Sequence, residues 1–92
     1  VIKSFAHKGL RQFFETGSNA GIQPAHAERL RLILTLLNSA VAPEDLALPG
    51  LNFHRLVADL NGFWSVKISG NYRIIFKFED RNVFEVDYLD YQ

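Results

Sequence analysis

The 92-residue chain carries ten basic and ten acidic side chains, so it lacks the positive excess of a broadly basic nucleic-acid coat. Apolar residues make up 48% of it and aromatic residues 13%, which excludes a disordered polymer; the length fits a single domain, residues 1–92. The absence of cysteine excludes disulfides, thiolate metal sites and cysteine nucleophiles.

The longest apolar stretch, residues 32–37, is far short of the roughly 20 residues that a membrane span needs. Val1-Ile2 is followed at once by Lys3, His7 and Lys8, which is not the pattern of a secretory leader. The expectation is a soluble cytoplasmic protein with no membrane association. Charge is uneven along the chain: residues 1–42 hold Lys3, Lys8, Arg11, Arg29 and Arg31 against Glu15 and Glu28, and the remainder is acidic by the same surplus of three. Contact with a polyanion must therefore come from a patch.

Residues 2–5 read as a short strand. Residues 8–16 read as a first helix, with Leu10, Phe13 and Phe14 on one stripe and Gly17-Ser18-Asn19 as its stop. A second helix follows Pro24, which suits a first turn because it has no amide proton to leave unpaired. In it Ala27, Leu30, Leu34 and Leu37 recur at spacings of 3, 4 and 3, Ile33 widens the stripe, and Glu28, Arg29 and Arg31 fall on the flank. Asn38-Ser39 closes it. Pro43-Glu44-Asp45 suggests one further helical turn, and Pro49-Gly50 a reversal.

The C-terminal third alternates with period two: Trp64, Val66 and Ile68, then Ile74, Phe76 and Phe78, then Phe84, Val86 and Tyr88. A two-residue Gly70-Asn71 turn would set Ile68 opposite Arg73 and spoil both faces. Three-residue loops at 70–72 and 80–82 instead pair Ile68 with Ile74, Val66 with Phe76, Trp64 with Phe78, Phe78 with Phe84, Phe76 with Val86 and Ile74 with Tyr88. Residues 52–57 are a candidate fourth strand and the N-terminal segment a fifth. The fold class is α+β, with two N-terminal helices packed on one face of a twisted antiparallel sheet. The other face, carrying Ser65, Lys67, Ser69, Arg73, Ile75, Lys77, Glu85, Asp87 and Leu89, is expected to stay open.

No phosphate-binding glycine loop, His-Glu-x-x-His or nucleophile elbow is present. His7, His26 and His54 sit in three separate segments, a spacing that suggests no metal site. Arg73, beside the first loop on the helix-free face, is read two ways. Its guanidinium could grip a phosphate through two parallel hydrogen bonds, or it could be an ordinary arginine that faces solvent or pairs with Asp87 or Asp90. Lys77 and Glu85 read as a cross-strand ion pair. Asp90 and Tyr91 follow the last strand and could reach the open face, although composition alone makes Tyr91 more often a packing residue.

Taken in order, Ile2-Lys3-Ser4-Phe5, His7-Lys8-Gly9-Leu10, Phe14-Glu15-Thr16-Gly17, Gly21-Ile22-Gln23-Pro24, Leu48-Pro49-Gly50, Trp64-Ser65, Asn71-Tyr72-Arg73-Ile74 and Asp90-Tyr91 resemble the HigB family of plasmid-maintenance killer toxins, in the RelE/ParE superfamily. The resemblance spans essentially the whole chain and implies the RelE-like form of the fold inferred above. It also implies a ribosome-dependent mRNA endonuclease that stops translation and needs no cofactor or metal. Its implied partners are the ribosome with its mRNA and a HigA-like helix-turn-helix antitoxin, through which operator DNA is bound.

By position, Arg73 matches the family's phosphate-stabilising arginine, Asp90 and Tyr91 its C-terminal catalytic pair, and His54 the histidine of its His-Pro-Leu-Lys-Gly-Asp segment. That segment here reads His54-Arg55-Leu56-Val57-Ala58-Asp59, so a neutral Val57 replaces a lysine often given a catalytic role. Leu60 and Ser69 replace basic residues, and Gln92 a common terminal histidine. Arg55 or Lys67 could restore charge as RNA contacts. The alternative is a non-catalytic binding module of the same fold, either a gyrase-directed ParE-like toxin or a decayed toxin that still binds its antitoxin.

Overall fold

Helix α1 (Lys8–Thr16) starts where the sequence places it because His7 keeps an extended backbone and its Nδ1 accepts the Leu10 N–H at 2.9 Å. This satisfies one of the amide protons that a helix start leaves without a partner. Gly17 ends the helix in the left-handed region, φ 79°, and donates its N–H to Phe13 O. Leu10 and Phe13 are buried, whereas Phe14 lies at the stripe's outer margin, 38% exposed, with its ring tilted against Phe5. This computed structural model describes residues 1–90; Tyr91 and Gln92 lie outside the described residues.

A 3₁₀ turn at Pro24–His26 leads into α2 (Ala27–Ser39), which buries Leu30, Ile33, Leu34 and Leu37. The further turn expected at Pro43 is a 3₁₀ turn, Pro43–Leu46. The Asp45 carboxylate accepts the backbone N–H groups of Val41 and Ala42 at 2.9 and 3.2 Å. Among the described residues, no helix is long and apolar enough to cross a membrane.

Four strands follow, β1 (His54–Arg55), β2 (Trp64–Ser69), β3 (Tyr72–Glu79) and β4 (Asn82–Asp90), in one antiparallel sheet of order β1-β2-β3-β4. The strand expected over 52–57 contracts to two residues. The N-terminal segment runs parallel to β4 and bridges it at Ile2–Val83 and Phe5–Val86.

The register differs from the expected one, for a physical reason. Both hairpins use two-residue turns, and a bulge in each repairs the faces that such turns would otherwise mismatch. At Gly70-Asn71, Ser69 pairs with Tyr72 and Lys67 with Arg73, leaving Ile68 as the inserted residue. Val66 therefore faces Ile74, and Trp64 faces Phe76. At Asp80-Arg81 both residues have positive φ, 49° and 67°, the requirement of a type I′ turn. Glu85, φ 54°, is the inserted residue in β4, and Ser4 Oγ accepts its N–H. Phe78 consequently pairs with Val83 instead of Phe84, and Val83 enters the core; Ile74 opposite Tyr88 is as expected.

The main core lies between the helices and one sheet face, with Leu10, Leu30, Ile33, Leu34, Leu37, Val66, Ile74, Phe76, Val83 and Val86 essentially inaccessible. The opposite face is not fully open. Ser65 and Ile75 at its centre are 0% and 3% exposed, and Leu56 is buried outside the main core. The segment carrying Phe63 reaches this face, where Lys77 Nζ lies 4.9 Å from the Phe63 ring centre.

Candidate active site

Side chains of directly paired residues share a face, so the pairings locate each candidate. His54 pairs with Ser65, Ser65 with Ile75, and Ile75 with Asp87, forming one row of the outer face. The next outer row is Lys67, Arg73 and Leu89. His54, Lys67 and Arg73 therefore share one surface. Two strands and two residues separate His54 from Arg73, on the order of 12 Å between Cα atoms at ordinary sheet spacings.

His54 is half-buried, and its Nδ1 lies 2.9 Å from the Asn52 carbonyl. A carbonyl can only accept, so Nδ1 carries the proton and neutral His54 keeps an Nε2 lone pair for a substrate proton. Asn52 presents that carbonyl from a left-handed backbone, φ 49°.

Of the two expected RNA contacts, Lys67 is exposed and sits directly opposite Arg73. Its strand is clamped from behind: Arg29 Nη2 donates to Gly50 O at 2.7 Å and to Lys67 O at 2.9 Å, Arg29 Nε donates to Lys67 O at 3.1 Å, and Lys67 N–H donates to Leu51 O at 2.7 Å. Arg55 pairs with Trp64, on the other parity from His54, and its guanidinium lies 5.5 Å from the Trp64 ring centre. Trp64 in turn stacks on Phe53 at 5.0 Å and 5°. Val57 is 76% exposed.

Asp90 is the last described residue of β4. It pairs with Tyr72, one step beyond the Arg73–Leu89 pair. Its parity is that of Tyr88, so it lines a cleft of about 560 Å³ with His7, Gly21, Gln23, Tyr72 and Tyr88. The candidate residues are thus divided, with Arg73 and Lys67 on the outer face and Asp90 at the cleft. Tyr91 lies outside the described residues.

That cleft has a polar floor that the separate segments of the sequence did not reveal. His26 Nδ1 lies 2.6 Å from Tyr88 Oη, and Gln23 Nε2 donates to Tyr72 Oη at 3.2 Å. His7 packs edge-on to Tyr88, and His26 to Tyr72. Burial pushes the Tyr88 hydroxyl above its ordinary 10.0, a backbone hydrogen bond from Gln23 opposes this, and neighbouring Tyr72 adds to it. The pairing signal was the Pro24 turn, which sets Gln23 and His26 at the start of α2. Among the described residues, no three His, Asp or Glu side chains gather as a metal-ligand set.

Known proteins share this architecture and sequence. A chain of the YoeB-YefM complex from Staphylococcus aureus superposes with a TM-score of 0.64, covering 100% of this chain and 98% of that one at 10% identity, a likeness of fold alone. The chain is 33% identical over 91 residues to Endoribonuclease HigB of Proteus vulgaris, covering 99% of each. It is 35% identical over 78 residues to Toxin HigB-1 of Vibrio cholerae serotype O1, covering 83% of this chain and 82% of that one. Residues 3–92 match the family model described as the RelE-like toxin of type II toxin-antitoxin system HigB, and the chain belongs to that family.

Proposed function

We propose that this protein is the toxin of a type II toxin-antitoxin pair and an endoribonuclease that cuts mRNA on the translating ribosome. The observation that carries the reading is the full-length likeness to Endoribonuclease HigB, on a fold that gives His54, Lys67 and Arg73 one common face. An antitoxin partner follows from the family. Its helix-turn-helix domain would bring operator DNA to the complex, and the neutral balance of the toxin suits work inside a ribosomal pocket.

The chemistry uses the RNA's own nucleophile. The 2′-hydroxyl attacks the adjacent phosphorus, a 2′,3′-cyclic phosphate forms, and the 5′-oxygen leaves with a proton. The protein must position the phosphate, neutralise its growing charge and move two protons. Arg73 stabilises the phosphate, with Lys67 beside it adding charge. The Nε2 of His54 is suited to accept a proton. Asp90 orients a neighbouring group, and Tyr91 handles a proton or stacks on a base. Arg55, seated on Trp64 at the sheet edge, offers a cation–aromatic surface to a flanking nucleotide. No step in this scheme calls on a metal or cofactor.

The exposed neutral Val57 favours a second reading, a non-catalytic toxin of the same fold that acts by binding alone. Primer extension on mRNA programmed into ribosomes separates the two. Cuts that require ribosomes and vanish in Arg73→Ala support the nuclease. Intact message from folded protein supports the binding toxin, and a DNA-damage response on expression would direct it to gyrase.

A further inference from the structure

Among the described residues, the stretch of β4 that carries Asp90 is paired on one side only. On the side of β4 away from β3, the N-terminal segment's last backbone bond among the described residues is at Val86, where Ala6 N–H donates to Val86 O at 2.8 Å. Beyond it, β3 supplies the sheet pairing of Tyr88, Leu89 and Asp90. A strand segment paired on one side opens more readily than one paired on both, and a group that wanders by an ångström from its working position loses much of its effect.

Two tyrosines bracket Asp90: Tyr88 two residues before it on the same face, and Tyr72 directly opposite it. Both are gripped by the same short stretch, the Gln23 cap and the 3₁₀ turn Pro24–His26 ahead of α2. Tyr88 Oη and His26 Nδ1 share a hydrogen bond at 2.6 Å, and Tyr72 Oη accepts from Gln23 Nε2 at 3.2 Å. The rings pack at 4.7 Å for His26–Tyr72 and 5.4 Å for Tyr72–Tyr88. Beside them Gly9 and Gly21 approach backbone to backbone, too closely for a side chain on either.

We infer that the turn bearing Gln23 and His26 is a positioning clamp, which through Tyr88 and Tyr72 fixes the end of β4 so that Asp90 stands in register with Arg73. His26 is then a positioning residue of the nuclease, and this use of the clamp rests on the nuclease reading. The hydrogen-bond partner that Tyr88 has at the Nδ1 position is reproduced by the side-chain amide of asparagine, which can accept or donate there.

The test compares His26→Leu, His26→Asn, Tyr88→Phe and the double variant His26→Leu/Tyr88→Phe with the unaltered protein. Cleavage of ribosome-bound message and hydrogen exchange of the C-terminal peptide are read together. Both single losses should lower kcat about tenfold with KM within about twofold, the double variant should be no worse than either, and His26→Asn should recover most of the rate. Exchange should rise at the end of β4 and stay unchanged in α2. Unaltered kcat and exchange in folded His26→Leu overturn the clamp. So does a loss that His26→Asn fails to rescue with exchange raised throughout, which marks a merely structural role. If the unaltered protein cuts nothing, the nuclease reading falls; local loosening in His26→Leu then still supports the clamp, and its absence overturns it.

Discussion

Gly9 and Gly21 meet with no room for a side chain on either: a Cβ on Gly9 would lie 2.9 Å from Gly21 Cα, and one on Gly21 would lie 2.8 Å from Gly9 Cα. The obstruction is backbone in both cases, so it cannot rotate away. This contact lets the loop after α1 lie against the start of that helix and forms one wall of the cleft beside Asp90. Neither Gly9→Ala nor Gly21→Ala can be accommodated without moving the loop. Each should lower stability by about 1–3 kcal/mol, the usual range for overpacking, in denaturant titration. Gly17→Ala fails for a different reason. It has open space around it, and its cost is the strain of a left-handed backbone.

Arg29 is a fastener. Its fork reaches Gly50 O and Lys67 O at once, joining α2 to the loop before β1 and to the β2 residue that faces Arg73. A lysine offers a point charge in place of the fork and keeps at most part of this. Arg29→Ala should cost about 1–2 kcal/mol, and Arg29→Lys should recover less than half of that, in thermal or urea unfolding. Cleavage should weaken alongside stability, because the strand carrying Lys67 loses its tie.

Tyr88 makes stability depend on alkaline pH. Its hydroxyl titrates above 10.0 when folded because burial disfavours the anion. Below pH 10 the folded and unfolded chains both keep the proton, and this group adds no pH dependence. As pH climbs from there through the raised value, the unfolded chain loses its proton first and stability falls. The unaltered protein should therefore lose more stability in this window than Tyr88→Phe does. Denaturation midpoints across the window and tyrosinate absorbance check it. Equal slopes in both proteins would mean that Tyr88 ionises as freely as an exposed tyrosine.

The two helices were legible in sequence because their signals are local: Pro24, the 3–4–3 spacing of Ala27, Leu30, Leu34 and Leu37, and Gly17 as a stop. The two sheet faces were mostly legible too. The register was not, because a bulge has no composition of its own. Ile68 is apolar whether it pairs or is inserted, and Glu85 with φ 54° is an unusual residue for a left-handed position. The same slip placed Phe84 in the core where Val83 belongs. For the candidate site, the motif resemblance proposes Arg73, His54 and Asp90 by position. It could not show that Arg55 is drawn onto Trp64 while Lys67 faces Arg73, since that depends on pairing partners far apart in sequence. The His26–Tyr88 contact spans 62 residues and had no sequence signal beyond the Pro24 turn.

Val57 offers the sharpest test of how this member departs from its family's pattern. Its side chain is 76% exposed, immediately ahead of the 3₁₀ turn Ala58–Leu60, and it contributes nothing to the core. A lysine there meets no steric cost, and its ammonium has water on its open side, so stability should shift by no more than about 0.5 kcal/mol. Its effect on rate should be large by comparison. A cation near the scissile phosphate stabilises charge that grows in the transition state, and one such group is commonly worth about 10²–10³ in kcat. Arg55 cannot supply it while its guanidinium lies over Trp64. If the scheme with Arg73 at the phosphate holds, Val57→Lys should raise single-turnover cleavage on programmed ribosomes by about tenfold or more, and Val57→Lys/Arg73→Ala should lose that gain. A folded Val57→Lys protein with an unchanged rate would mean that Lys67 and Arg73 already supply the charge at this phosphate. The valine would then be a tolerated replacement and no sign of decay.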